Sequence, residues 1–523
     1  MMRSCNILFV IFYLAFSLPV RAPGIIYVAW DASGSGNGSS WENAFQTISP
    51  AVTAAQEADH IWVKKGTYIE QVILQKNISL YGGFAGTETD LEQRNISLNE
   101  TILDGTGKSY SEVLMTKGRL DGFTILGGQG TTRTYKDVTM RFGGCILVDY
   151  DSTDPVISHC RITKTETPEG GFALACLYAG NLLIEDCLVE QNRSPLGIDG
   201  ILVCNNATVA IRRCIIRDND GEGLFCDYKN SVTVEDSEFL NNKKGGIWFC
   251  GTTVDVKRCV IRGNSWRGMN FYYDPATGLV ADCVIEENNT DNSEDNYFGG
   301  GIYLSGGSSP TFYNCLIRKN RVALLHDPHG GGGIMIYGAS PTFIRCRIEE
   351  NTSYDDTWSD GGGGVYILYS SLVNFYNTMF LNNYSLGAGA CYIEKYSNAY
   401  FNGCIFSGNY VKARDSQVMF ITDNSNVYLN NCASTGQLIS EVFSLSVHVT
   451  YTYSNLYSTN NILWDGSPEI RLWGGAQAYV DHTCIIGGFP GEGNISSNPL
   501  FIDEGYTSKT AGGEWLWEEG YYM

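Results

Sequence analysis

Proline, charge and long apolar runs are all scarce in this sequence. Its 523 residues include only 13 prolines, and charged side chains make up 17%, below the usual quarter or so. Beyond the N-terminal segment no apolar run approaches the roughly 20 residues that a membrane-spanning helix needs. That excludes a helical membrane protein. Basic residues are few: Lys plus Arg is 35 against 56 Asp plus Glu, for a net charge of −21. Binding to a phosphate backbone is driven by cationic side chains, so nucleic acid is excluded as a partner. The chain is not poor in apolar residues, which at 43% exclude disorder. Gly (60), Tyr (32) and Cys (17) are plentiful. The glycines follow no period of three, so a collagen-like helix is excluded. So biased a composition points to internal repeats.

The N-terminus reads as a targeting segment. Arg3 precedes the apolar run Ile7 to Leu18, which suits a secretory signal core. Val20 and Ala22 fit the small positions of a cleavage site, so residues 1–22 are expected to be removed. Loss of Arg3 and Arg21 would leave the mature chain two charges more negative. A soluble, exported, monomeric protein with no transmembrane span in the mature chain is expected.

The repeat is the strongest signal. Cys followed by Asn five residues later recurs in Cys187-Leu-Val-Glu-Gln-Asn192, Cys214 with Asn219, Cys259 with Asn264, Cys283 with Asn288, Cys315 with Asn320, Cys346 with Asn351 and Cys404 with Asn409. Ser237 with Asn242 and Thr378 with Asn383 keep the Asn; Cys160 with Thr165 and Cys432 with Gln437 keep the Cys. Successive copies from 160 to 432 are 22 to 32 residues apart. Each copy holds a Gly-rich opening, a short apolar stretch such as Gly301-Ile-Tyr-Leu304, a turn, an alternating stretch such as Thr311-Phe-Tyr-Asn314, and the Cys stretch. That is three short strands per copy. No copy carries a helical pattern of 10 or more residues. Such units cannot bury their faces alone and must stack. The expected fold is all-β: a parallel β-helix with three short strands per rung and about a dozen or more rungs.

The repeated residues take physical roles in that coil. Asn at a fixed turn suits a left-handed or bridging backbone, and stacked Asn side chains can hydrogen-bond along the column. Cys forms an inward column. Another column is expected from Cys145, Cys176, Cys204, Cys226 and Cys250, with Cys391 farther along. Stacked Cβ atoms about 4.8 Å apart exceed the usual disulfide separation, so most of these are read as buried thiols. Gly330 to Gly333 and Gly361 to Gly364 read as turn glycines. An open stack needs a cap. Ser49 as N-cap, Pro50 at the first helical position and Ala51, Val52, Ala54 and Ala55 predict a short capping helix. The organisation expected is a cap and first rungs over 25–125, regular rungs over 126–435, irregular rungs over 436–503 and a tail over 504–523. Asp481-His-Thr-Cys484-Ile reads as one further rung.

Tyr27-Val28, Gly34-Ser-Gly36, Ser40-Trp41, Ala44-Phe45, Ile61-Trp-Val63, Gly66-Thr-Tyr68, Leu80-Tyr-Gly-Gly-Phe84 and Asn498-Pro-Leu-Phe-Ile-Asp503 resemble secreted right-handed parallel β-helix proteins of the pectin-lyase-like superfamily. Gly299-Gly-Gly-Ile302, Gly362-Gly-Gly-Val365, Phe239-Leu-Asn-Asn242, Phe380-Leu-Asn-Asn383 and Phe406-Ser-Gly-Asn409 resemble the repeats of polymorphic outer-membrane proteins. The resemblance runs from about residue 25 to 503. It implies a right-handed coil and a secreted or cell-surface protein, such as an adhesin. The wider superfamily also includes pectate lyases and glycoside hydrolases. No outer-membrane barrel pattern of roughly 10-residue strands accompanies it.

Repetition also says which loops are neighbours. The loops after Asn leave the same turn of each rung and should stack. Three in succession are enlarged: Thr290 to Phe298, Arg321 to His329 and Thr352 to Asp360. Trp266, Tyr297, Tyr354, Trp358 and Tyr384 offer flat amphipathic faces suited to sugar rings. Asp291, Glu294, Asp295, Asp327, Asp355, Asp356 and Asp360 could supply oxygens to Ca²⁺, and His326 with His329 could bind a transition metal. Lys243, Lys244 and Arg267 could supply the base of a lyase, and acidic pairs could serve glycoside hydrolysis. The expected partner is an extracellular polysaccharide or a cell surface. The expected function is adhesin-like binding by the loop wall, with a polysaccharide lyase or glycoside hydrolase acting on extracellular glycans such as pectin as the alternative.

Overall fold

The computed structural model describes residues 21–499, 506–509 and 515–518, apart from 136, 151, 168–171, 178–179, 194–199, 205, 292–296, 325–328, 356–360, 412–415, 436–445, 451 and 465–469. Residues 1–20, Gln437 and most of the tail lie outside the described residues. The chain coils through three sheets in fixed order, once per rung. The first, 17-stranded, runs from Ile25–Val28 to Gln477–Asp481; the third, 16-stranded, from Gly66–Tyr68 to Cys484–Ile485; the second, 15-stranded, from Val72–Leu74 to Ile470–Leu472. The chain passes from first to third to second sheet before returning, and the rung-to-rung pairings are parallel, as in Asn181–Glu185 against Thr208–Arg212. Cys484–Ile485 pairs with Ile462–Leu463 and is the further rung expected there.

Period-2 sequences build the first sheet. Leu182, Ile184, Val209, Ile211, Val232 and Val234 point inward, with Asn181, Thr208 and Ser231 outward. Farther along, the inward column is Phe312, Phe343, Phe375 and Phe401, with ring centroids 4.8, 5.0 and 4.8 Å apart. That spacing is the rung repeat, so one choice of residue per copy makes a continuous aromatic stack. The second sheet differs. Its strands, such as Ile146–Val148, Ile302–Leu304 and Val365–Leu368, are buried on both faces. Its outer face is covered by separate apolar clusters, one around Leu147, Leu202 and Phe142 of the hairpin Thr131–Tyr135/Val138–Phe142, the other around Tyr303, Met335, Tyr366 and Tyr392.

The asparagines form one ladder. From Asn192 through Asn219, Asn242, Asn264, Asn288, Asn320, Asn351 and Asn383 to Asn409, each Nδ2 donates to the Oδ1 of the next rung at 2.9–3.1 Å. Each also donates to a carbonyl of the preceding rung, as Asn288 does to Ile261. Of the two backbone conformations expected at the Asn, the left-handed one is not found there. It belongs to the residue just before: Gln191, Asp218, Asn241, Glu287, Lys319, Glu350 and Asn382 all have φ near +55°. A second left-handed residue precedes each Cys or its replacement, among them Asp186, Arg213, Asp236 (before Ser237), Arg258, Asp282 and Asn314. The corners are turned by exposed residues of any polar type, while Asn fills the space inside.

Fifteen described cysteines are free thiols and buried. The column from Cys160 to Cys432 stands as expected, each Sγ facing the carbonyl two residues before it. The other expected column does not exist as one line. Cys176 and Cys226 share a register position with Val203 between them, Cys204 and Cys250 flank Asp227 one place along, and Cys391 aligns with Val365 and Met419. Spacing in sequence could not separate adjacent positions of one strand.

The cap is the helix Ile48–Ala54, packed through Ile48, Ala51 and Val52 against the first strands of the coil. Its N-cap is Thr47 rather than Ser49, and Thr47 makes no side-chain cap. The Glu70 carboxylate does that work, accepting from the Ile48 and Ser49 amides at 2.7 and 2.8 Å. An anion there also suits the positive helix end.

Candidate functional site

The loops after the Asn ladder stack into a wall. Asn289–Asp291, Arg321–Leu324, Thr352–Asp355, Tyr384–Ser385 and Tyr410–Val411 form a five-stranded parallel sheet, and Tyr297–Gly299, His329–Gly331 and Gly361–Gly362 a three-stranded one. Each enlarged loop leaves by one sheet and returns by the other. The wall explains the glycine runs. None of Gly299–Gly301, Gly331–Gly333 or Gly361–Gly364 has positive φ, so they are not turn glycines. Space demands them: a Cβ on Gly332 would lie 2.5 Å from the Thr352 carbonyl carbon, and one on Gly363 would lie 2.6 Å from the Tyr384 oxygen.

The sequence-derived site residues that are described fall on the wall and on the rungs just before it. Tyr354 is 40% exposed on the wall, and Tyr384 stacks on Tyr410 at 5.4 Å. Asp291, Tyr297, His329 and Asp355 are wall-strand positions. Glu294, Asp295, His326, Asp327, Asp356, Trp358 and Asp360 lie outside the described residues. Among the described residues, no three His, Cys, Asp or Glu side chains gather closely enough to hold a metal ion. Lys243 is exposed and paired with Asp220 at 2.6 Å. Arg267 is buried, its guanidinium 4.8 Å from the Trp266 ring and 4.4 Å from the Tyr303 ring. A guanidinium so placed gains cation–π attraction and organises the rings around it.

Those rings mark a corner where the wall begins and the outer face of the second sheet forms the floor. One outward column runs Phe225, Trp248, Asn270, Tyr303, Met335. Residues on either side of it, such as Met269 and Phe271, are core. Trp248 and Tyr303 therefore flank Asn270 one rung away on each side, about 10 Å apart. The Tyr272 ring is 5.5 Å from Trp248 and 5.9 Å from Tyr303, so it bridges them beside Asn270. On the opposite side Trp266 lies 6.2 Å from Trp248. Asn270 is 3% exposed, and among the described residues neither its Nδ2 nor its Oδ1 has a hydrogen-bond partner.

Glu222 stands at the edge of the same corner, in register with Gly245, where a Cβ would meet only the Arg267 carbonyl. Burial lifts its carboxyl to about 7, against the pull of its own backbone amide and of Lys244. Its Oε2 has no hydrogen-bond partner among the described residues. Burial likewise raises the Tyr303 hydroxyl. The corner offers aromatic faces, a buried amide and a carboxyl that exchanges protons near neutrality.

Sequence reasoning placed Trp266, Arg267 and Lys244 here but missed Glu222, Trp248, Asn270, Tyr272 and Tyr303. The signal was one position of the second-sheet strand in eight successive copies, aromatic in six of them: Phe225, Trp248, Asn270, Tyr303, Met335, Tyr366, Tyr392, Phe420. Aligned by copy, that position is outward yet aromatic, as a covered or ligand-binding face requires.

Comparison with known proteins agrees on the fold. The family described as "Right handed beta helix region" matches residues 111–254, 197–322 and 325–485. No curated protein sequence matches the chain. Among solved structures the chain is similar to the pectate lyase Pel9A, with 14% identity over 66% of this chain and 79% of that one and a TM-score of 0.30. It is also similar to the A-module of the Azotobacter vinelandii mannuronan C-5 epimerase AlgE4, with 12% identity over 76% and 93% and a TM-score of 0.30. PfbA, a surface adhesin of Streptococcus pneumoniae, is 9% identical over 90% and 93%, with a TM-score of 0.28. At such identities the likeness concerns fold alone. The family's matches together span more than half of the sequence, and the chain belongs to the right-handed β-helix family.

Proposed function

We propose that the protein is a secreted or cell-surface β-helix that binds carbohydrate in the corner between wall and second sheet. The observation that carries this is the set of rings around Asn270. Aromatic faces pack against the apolar faces of sugar rings, and sparse polar groups among them fix orientation. The wall tyrosines Tyr354, Tyr384 and Tyr410 continue the surface along the axis, so a polymer could lie across several rungs. Export rests on the run Ile7 to Leu18 with Ala22 after it. An adhesin of the outer-membrane-repeat type is the setting in which such a surface would act on another cell or matrix.

The test is retention of the purified protein in gels containing polysaccharide. Trp248→Ala should lose retention by tenfold or more with its melting temperature kept within a few degrees. Unchanged retention would move the site elsewhere. A second reading, a polysaccharide hydrolase or lyase on the same corner, is favoured by Glu222. A carboxyl near 7 is suited to general acid–base work. Release of new reducing ends that Glu222→Gln abolishes would support it; binding without release would sink it.

A further inference from the structure

The corner says more about which sugar it takes. We propose that Asn270 is the specificity-determining residue of the site and reads a vicinal diol of a neutral saccharide, an inference that rests on the carbohydrate-binding reading above. A primary amide offers two N–H donors and one carbonyl acceptor. Adjacent hydroxyls match it: one oxygen accepts from Nδ2 while the neighbouring O–H donates to Oδ1. Neither atom of Asn270 is satisfied within the protein among the described residues, although the side chain is 3% exposed. An orphaned buried amide is costly to keep, and this one stands on the outward column between Trp248 and Tyr303 rather than among the inward side chains. The contrast with the nine ladder asparagines is direct, since each of those has bonded Nδ2.

Access to Asn270 is over Tyr272. That ring is half-buried, with Tyr273 beyond it 75% exposed, and it bridges Trp248 and Tyr303. The rings on either side of Asn270 then bracket a bound pyranose. Charge selects a neutral glycan. The chain carries −21, a field that repels polyanions. Of the cations at the corner, Lys243 is paired with Asp220, Lys244 faces the Glu222 carboxyl, and Arg267 is stacked on Trp266 and Tyr303.

Affinity electrophoresis of the full chain in gels of arabinoxylan, galactomannan and mixed-linkage glucan, beside polygalacturonate and alginate, tests this. Retention is expected on one or more neutral gels and not on the polyuronates. Periodate treatment, which cleaves vicinal diols, should abolish it. Asn270→Leu should weaken retention at least tenfold while the melting temperature holds or rises, because the substitution removes an unsatisfied amide. Asn270→Leu binding as wild type does, retention surviving periodate, or retention on polyuronates alone would each overturn the role of Asn270 and leave the carbohydrate site standing. Failure of the wild type on every gel would overturn both.

Discussion

At the scale of single residues, the buried polar groups decide most. Each ladder Asn between the two ends accepts from the previous rung's Asn through Oδ1 and donates through Nδ2 to the next, as Asn288 does. Replacing Asn288 with Leu removes its own bonds, orphans the Asn264 amide and takes one of the two bonds made by the Asn264 Nδ2, which keeps only the Phe239 carbonyl. An expected loss of about 3 kcal/mol should appear as a lower midpoint in urea unfolding. Glu112 is the opposite case. It is fully buried between Gly105 and Gly128, where a Cβ would strike its oxygens, and burial pushes it up to about 9. In the unfolded chain a Glu titrates near 4.3. Between those values the folded state holds a proton that the unfolded state has lost, so stability falls as pH rises. Glu112→Gln should remove that slope and raise the melting temperature at pH 8, with little effect at pH 4. A melting curve against pH for both proteins checks the sign.

The elements show why repeated spacing was legible and enlarged loops were not. Three strands per copy followed from period-2 patterning, and the inward Cys column followed from its constant offset to Asn. The roles of the glycines did not. Gly300, Gly332 and Gly363 look like turn residues in a one-dimensional reading, but each lies against a wall strand that the chain builds some twenty or thirty residues away. Gly332→Ala should push the Thr352–Asp355 strand off the coil at a cost of about 1–3 kcal/mol. Limited proteolysis should then cut within 352–360 before any other segment of the wall, with the three main sheets still protected. A serine ladder was likewise hidden: the amides of Ser371, Ser397 and Ser425 donate to the hydroxyls of Ser397, Ser425 and Ser454. These serines sit at the second-to-first-sheet turn, where no Cys or Asn marks the copy.

Taken whole, the molecule is a stack whose stability is shared among neighbouring rungs. Its thiols illustrate what that shape protects. Fifteen described cysteines are buried and unbridged, so an exported chain would carry reduced thiols safe from oxidants only while folded. Native protein should show almost no reaction with a thiol reagent over an hour, and full reaction in guanidinium chloride. Rapid labelling in buffer would mean that the coil opens between rungs.

Sequence alone determined the coil, because a parallel stack repeats one environment per rung and therefore prints the same residue at each copy. It also determined that the loops after Asn lie side by side. Only the tertiary structure decided where a ligand would sit. Trp248, Asn270 and Tyr303 come from three different rungs, and Tyr272 and Trp266 from turns on opposite edges of one strand. Tyr303 repeats at its position as Tyr366 and Tyr392, but Trp248 and Asn270 do not recur in that column, and an unrepeated residue has no periodic signal to betray its neighbours. Their meeting is set by strand register and by the direction in which each side chain leaves the coil, which are properties of the folded chain.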